Sequence, residues 1–271
     1  MKTAIFYFSG TGNTQWAARK FTELLTLRGV DCSLVPIEQV PQNDAELVEA
    51  IHQSDFVCFF YPIYGADLPP ILRRFLGRLT SLSAAWAPGK PACCVATFGY
   101  VNGFGPIKAH RMLASAGFSL KCHENVRLCN NLSTPLARTE PLPLEKLKRR
   151  REKAVVALDR AAGAMAAGKR QIRGFGPWLL AGYMIRKFTG PLIRQNHKSM
   201  GVELSLCKRC MLCVAQCPTS SIVWREDEGF DFLPTCTACS RCYNSCPSGA
   251  VTIGGVVADP EVYQRYTAMD N

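Results

Sequence analysis

The sequence predicts an α/β chain in which a doubly wound parallel sheet of five strands precedes a small α+β module. Three observations carry that prediction. Short apolar runs alternate with helical patterns through residues 1–169, the pattern of strands joined by crossover helices. A glycine- and hydroxyl-rich loop follows the first run. Of fourteen cysteines, eight fall into two copies of one four-cysteine pattern between Cys207 and Cys246. A length of 271 residues suits about two domains. With 48% hydrophobic and 20% charged residues, the composition excludes wholesale disorder.

The elements follow in order. Strands are expected at Thr3–Phe8, Ser33–Pro36, Phe56–Tyr61, Ala92–Phe98 and about Leu120–Val126, each a short apolar run. Helices are expected at Thr14–Arg28, Ala45–Gln53, Pro70–Leu79, Ile107–Ala116 and in a long segment from about Leu142. On the first helix Ala17, Phe21, Leu24 and Leu25 share one face, and Gly29 suits the C-terminal cap. On the fifth, Leu144, Leu147, Val155, Leu158, Ala162 and Met165 keep helical spacing. Its Lys146, Lys148, Arg149, Arg150 and Arg151 are expected to form a solvated outer face, with docking to an acidic redox partner as the alternative.

Ser9-Gly10-Thr11-Gly12-Asn13-Thr14 lies where the first strand turns into the first helix. Backbone N–H groups at a helix N-terminus, glycines that permit close approach, and the hydroxyls of Ser9, Thr11 and Thr14 make an anion cradle. Neither a Gly-Lys-Ser/Thr nor a G-x-G-x-x-G pattern occurs there, so the common nucleoside-triphosphate and dinucleotide loops are excluded. The segment resembles the FMN phosphate loop of flavodoxins. That resemblance implies a sheet ordered 2-1-3-4-5 and two flavin-ring loops after strands three and four. Here these are Pro62-Ile63-Tyr64-Gly65-Ala66-Asp67 and Thr97-Phe98-Gly99-Tyr100-Val101-Asn102-Gly103-Phe104-Gly105. Tyr64, Phe98, Tyr100 and Phe104 offer stacking faces, and Gly65, Gly99 and Gly103 offer backbone contact to ring heteroatoms. The resemblance also implies that the Tyr64–Gly65 peptide hydrogen-bonds the reduced flavin at N5. The acidic rim typical of stand-alone flavodoxins is missing around these loops.

Cys207-x2-Cys210-x2-Cys213-x3-Cys217-Pro218 recurs as Cys236-x2-Cys239-x2-Cys242-x3-Cys246-Pro247. Each copy has the run by which bacterial ferredoxins bind [4Fe-4S] clusters. Three cysteines on a tight loop cap three irons of one cubane, and the fourth continues into a helical turn and serves the other cluster. On that rule Cys207, Cys210, Cys213 and Cys246 hold one cluster, and Cys236, Cys239, Cys242 and Cys217 the second. The alternatives are two independent single-cluster sites, and structural zinc, which needs only paired C-x2-C units. Val202–Ile222 and Asp231–Ile253 each read as strand, cysteine loop, helical turn and return strand, joined by the polar turn Arg225–Gly229. Ile222, Val223, Phe230, Phe232, Val251 and Ile253 are expected to surround the clusters with apolar groups.

The whole chain resembles the flavodoxin-ferredoxin fusion proteins of anaerobic bacteria. The implied organisation is a flavodoxin-like domain at 1–169, a connector at 170–200, a ferredoxin domain at 201–257 and a tail at 258–271. The implied cofactors are FMN and two [4Fe-4S] clusters. The entire formal charge of +11 sits between Glu145 and Lys198, which hold fourteen Lys or Arg against three acidic residues. Clusters and flavin phosphate lower the loaded total to about +5, so a basic pI is no sign of nucleic-acid binding. The connector stretch Trp178–Ile185 is too short to span a bilayer. It is expected to pack between the domains, burying Trp178 and Tyr183, rather than to lie on a membrane surface. With no room for a signal peptide before the first strand, the expected location is the cytoplasm. Cys32, Cys58, Cys93, Cys94, Cys122 and Cys129 read as core filler, and Cys93 and Cys94 face opposite sides of the sheet. His52, His110, His123 and His197 lack metal-ligand spacing, and no residue is assigned a catalytic role.

The resulting expectation is an electron carrier. Its clusters pass single electrons to FMN, taking them from a ferredoxin or another upstream donor and supplying a separate reductase. The rival readings are an FMN enzyme reducing a small substrate such as a quinone, with Asp67 as the one acid near the ring loops, and a redox sensor binding a partner through the basic helix.

Overall fold

The computed structural model describes residues 1–134, 137–138, 140–175, 178–226 and 228–266. Asp227 of the inter-repeat turn and residues 267–271 of the tail lie outside these, as does the side chain of Trp178. The first domain runs β1 (Lys2–Tyr7), α1 (Asn13–Thr26), β2 (Asp31–Pro36), α2 (Asp44–His52), β3 (Phe56–Pro62), α3 (Pro70–Ser81), β4 (Lys90–Phe98), α4 (Gly105–Ser115) and β5 (Phe118–Arg127). A short hairpin, β6 (Ser133–Thr134) and β7 (Ala137–Arg138), leads into α5 (Leu144–Ala166).

The strands form a parallel sheet in the order β2-β1-β3-β4-β5, extended at its far edge by β8 (Gln171–Ile172). The order is that of a flavodoxin-like doubly wound fold. The sheet therefore has six strands where the sequence predicts five. Two residues carry no alternation of their own, and Gln171–Ile172 becomes a strand only because the edge of β5 is open beside it. Central strands are buried on both faces, as a parallel sheet covered by helices requires, and this is why they read as continuous apolar runs. One face packs Phe6, Phe59, Tyr61 and Cys94 against α3 and α4. The other packs Ile5, Phe60, Cys58 and Cys93 against Ala17, Phe21 and Leu25 of α1 and Leu158 and Met165 of α5.

Local signals end the helices where expected. Gly29 takes φ +73° after α1, the left-handed conformation a helix stop favours. Asn43 accepts a hydrogen bond from the Ala45 N–H at the start of α2. The basic stretch of α5 divides. Lys146, Lys148 and Arg149 are exposed, but Arg150 donates to the Leu128 carbonyl and Arg151 lies 5.2 Å over the Trp16 ring. Those two staple α5 to the β5 exit loop and to α1, so the solvated face is narrower than predicted.

The connector forms α6 (Trp178–Arg194) and α7 (Asn196–Ser199). Beyond it β9 (Met200–Val202), α8 (Leu212–Ala215), β10 (Ile222–Arg225), β11 (Gly229–Phe232), α9 (Arg241–Ser245) and β12 (Val251–Ile253) make the second module. β9 pairs antiparallel with β12 and β10 with β11, so the two repeats are interlaced rather than consecutive. Ile222, Phe232, Tyr243, Val251 and Ile253 form its core, with Val202, Phe230 and four of the cysteines packed on them.

Candidate cofactor cleft and cluster loops

The carboxyl ends of β1, β3, β4 and β5 open into a cleft, the place where ligands bind in doubly wound sheets. Ser9, Gly10, Thr11, Asn13, Thr14, Pro62, Ile63, Tyr64, Gly65, Thr97, Phe98 and Gly99 line it. Each of the three hydroxyls of the anticipated cradle is itself held by a hydrogen bond. Ser9 Oγ accepts from the Gly12 N–H at 3.1 Å, Thr14 and Thr97 hydroxyls meet at 2.7 Å, and Thr11 is bonded by Asn131. Asn13 donates to the Cys129 carbonyl and accepts from Tyr266 Oη. These bonds fix the loop while its backbone faces the cleft at the start of α1.

The turn after β3 is tight. Tyr64 and Asp67 exchange both backbone hydrogen bonds at 3.0 Å, with Gly65 at φ +53° and Ala66 at φ +61° between them, the left-handed pair of a type I′ turn. Tyr64 Oη is buried against Gly10, and burial followed by the neighbouring Cys239 raises its pKa well above the ordinary phenol value. Asp67 accepts from Arg186 at 2.8 Å and Lys108 at 3.2 Å and lies 3.6 Å from Arg73. Held by three cations and 5% exposed, it anchors the turn and is no free acid or base toward the cleft.

Four of the residues expected at the flavin ring lie elsewhere. Gly103 backs the turn, since a Cβ there would collide with the Ala66 Cβ, and Gly105 backs it through Ile63. Phe104 faces away, packed by Tyr183 and by the guanidinium groups of Arg186 and Arg111. Tyr100 is 56% exposed. The loop after β4 turns at Gly99, so only Thr97, Phe98 and Gly99 reach the cleft, and the rest of the glycine run serves close packing.

Other parts of the wall carry no motif. Leu128, Cys129, Asn130, Asn131 and Leu132 come from the β5 exit loop, and Ile193 and Asn196 from the connector helices. Position was the available signal for the first group, because β5 neighbours β4 in the sheet. The remaining wall is Ala238, Cys239 and Ser240, from the second cysteine loop. Gly10 marks the closest approach, for a Cβ there would lie 2.5 Å from Tyr64 Oη and 2.7 Å from the Cys239 carbonyl. Arg241, next in the chain, donates to the Gly10 carbonyl at 3.1 Å, the Ser9 carbonyl at 2.7 Å, Glu38 at 2.7 Å and the Gln216 carbonyl at 2.9 Å. Burial opposes its charge, but the Glu38 bond and the nearby Cys239 hold its pKa above the ordinary value. Thr237 Oγ caps the buried Ile71 N–H in the first turn of α3. One loop thus bonds both the glycine-rich loop after β1 and a neighbouring helix.

The two cysteine loops share one backbone. Left-handed residues stand at Arg209, Met211 and Ser220 in the first repeat and at Ala238, Ser240 and Gly249 in the second, at matching offsets from Cys207 and Cys236. Five of the six are not glycine, and strain of this kind is retained where a site over-determines it. N–H groups turned inward meet sulfur, from Arg209 to Cys207 at 3.4 Å and from Ser221 to Cys217 at 3.3 Å. Burial raises Cys246, yet N–H groups of Val251, Ser248 and Ala250 and the Ser248 hydroxyl bring it below the ordinary thiol value. Charge interactions link Cys213 to Cys246 and Cys207, Cys236 and Cys239 to Cys217, and Cys242 to both Cys217 and Cys213. Among the described residues no three His, Cys, Asp or Glu side chains converge on a single ion; a cubane takes one thiolate per iron, spread around its faces.

Residues 206–251 match the family model of the 4Fe-4S dicluster domain. Joined to the doubly wound sheet, that match defines an iron–sulfur electron-transfer protein with a flavodoxin-like N-terminal fold. The first domain is similar to solved structures. A flavodoxin of Streptococcus pneumonia TIGR4 shares 20% identity over 62% of this chain and 99% of that one, with a TM-score of 0.45. A cysteine-to-serine mutant of flavodoxin from Pseudomonas aeruginosa shares 19% over 60% and 98%, with a TM-score of 0.44. General stress protein 14 from Treponema denticola, in complex with FMN, shares 12% over 62% and 99%, with a TM-score of 0.44. No curated protein matches the chain in sequence. The fold assignment rests on the strand order and register of the sheet itself.

Proposed function

We propose that this protein relays single electrons between two [4Fe-4S] clusters and an FMN held in the cleft, and supplies them to a separate reductase. The observation that carries the reading is the shared wall: a cluster-loop cysteine, Cys239, lies against the Ser9–Gly10 loop in the same cleft. Bound, FMN supplies a centre that takes one or two electrons, and each cluster one that takes a single electron.

The residues present fit these groups. Gly10 and the helix start at Asn13 offer backbone N–H groups for a phosphate, and Gly10 and Gly99 leave no space for a side chain. Tyr64 and Phe98 flank the space for a planar ring. Cys207, Cys210, Cys213 and Cys246 would hold one cluster, and Cys236, Cys239, Cys242 and Cys217 the other, following the rule that the fourth cysteine of each run serves the other cluster. Burial pushes the free Cys239 thiol up to about 12, so iron must displace its proton and supply the compensating charge. A carrier is favoured over an enzyme with its own substrate because Asp67 is committed to three cations and the cleft is walled by Ile193 and Ser240.

Anaerobically purified protein is expected to contain about eight irons, eight sulfides and one FMN per chain. After rapid reduction, cluster bleaching should be followed by a flavin change at a rate independent of protein concentration. Zinc without acid-labile sulfide would overturn the cluster reading. Steady reduction of a small quinone by the chain alone would overturn the carrier reading.

A further inference from the structure

The connector helix α6 has two faces with different fates. Its inner face is pinned to the cleft. Arg186 bonds Asp67, Thr189 Oγ donates to the Gly65 carbonyl at 2.7 Å, and a Cβ on Gly182 would collide with the Gly103 Cα. The outer face is bare. Phe188 is 70% and Leu192 71% exposed, with Met184, Ile185 and Ala181 exposed beside them. At 100° per residue these five fall within an arc of about 100°, an apolar ridge centred about 120° around the helix from the inner face. Tyr183, expected to be buried, is half-exposed on one flank.

Charge decides what such a ridge meets. Residues 160–202 contain no Asp or Glu and eight Lys or Arg. Lys187 and Arg194, seven residues apart and both exposed, lie on one flank of the ridge, and Lys198 is exposed just beyond it. A second copy packed symmetrically on this face would set these cations against their own counterparts, with no acidic residue in the segment to offset them. No helix among the described residues is long and apolar enough to cross a membrane, and an apolar ridge bordered by cations suits the interface of one.

We infer that α6 docks the protein onto an anionic lipid surface, with Met184, Ile185, Phe188 and Leu192 entering the acyl boundary and Lys187 and Arg194 reaching the headgroups. Docking in this orientation sets the cleft one helix thickness, about 10 Å, from the lipid. It does not depend on what fills the cleft.

The test is sedimentation of the full-length, anaerobically purified protein with vesicles of phosphatidylcholine alone or with about 30% phosphatidylglycerol. Binding to the anionic vesicles should exceed binding to neutral ones by about 10-fold and should weaken at high salt. The paired changes Phe188→Ser and Leu192→Ser should lower it by about 10-fold, and Lys187→Glu with Arg194→Glu by a similar factor. All four side chains face solvent, so iron content and circular dichroism should stay unchanged. Absence of binding to anionic vesicles, or binding undiminished in both double variants, would overturn the inference. So would a dimer in solution that Phe188→Ser with Leu192→Ser converts to monomer, since a second copy would then cover the ridge.

Discussion

The two cysteine loops have the same spacing and the same left-handed residues, yet opposite surroundings. In the first, Lys208, Arg209, Cys210 and Leu212 are exposed; in the second, Thr237 and Cys239 are buried. Thr237, which caps Ile71, and Arg241 carry the difference. Arg241 stands where the first loop has Leu212, and it bonds Ser9, Gly10 and Glu38 of the first domain. The four-cysteine spacing is a local property that both loops share. Which loop faces the cleft and which faces solvent is a property of the domain interface. On the proposed function, electrons come in at the exposed loop and leave through the buried one.

Removal of iron tests this comparison most severely. Structural metal binding is folding free energy, so stripping the clusters should loosen the second module. The exposed loop should lose order first: amides at 208–213 should exchange with deuterium faster than those at 237–242, which Arg241 and Thr237 still tie down. Equal exchange in both loops would show that the interface adds nothing. Arg241→Leu makes the second loop resemble the first and leaves the partly buried Glu38 without its cation, a loss of about 1–3 kcal/mol. A lowered melting temperature with slower cluster-to-flavin transfer would support the clamp, and an unchanged one would remove it.

His123 on β5 is fully buried against Phe175, and burial pushes its pKa from 6.5 down to about 4. The fold therefore favours the neutral ring. Its contribution is complete above pH 6.5 and is lost as pH falls toward 4, by about 3 kcal/mol in all. His123→Gln should flatten the decline of the melting temperature between pH 6.5 and 4.5 without altering iron content. The smallest effect belongs to Leu212→Ala, which removes a 41% exposed side chain. Stability should change by less than about 0.5 kcal/mol, and a larger change would reveal a contact at the exposed loop that the comparison denies.

Much of the molecule was legible from local chemistry. Apolar runs such as Phe56–Tyr61 specify central strands because a two-sided core needs every residue apolar. Ser9–Thr14 is readable as a loop because glycine and hydroxyl chemistry acts within a few residues. The eight cysteines are readable because cubane ligation requires that spacing wherever the loop sits. Gly103 and Gly105 misled for the same reason: a glycine required for close packing has the same sequence signature as one required at a ligand.

Residue order along the chain was enough to settle the first five strands, the cysteine loops and the succession of the two modules, all set by contacts between near neighbours. Three-dimensional packing alone decided that Arg241 and Cys239 wall the cleft beside Gly10, that Asp67 is an anchor, and that α6 leaves Phe188 and Leu192 bare. Those outcomes join residues up to 232 positions apart. Such pairings depend on how whole faces pack, and no periodicity or spacing along the chain encodes them.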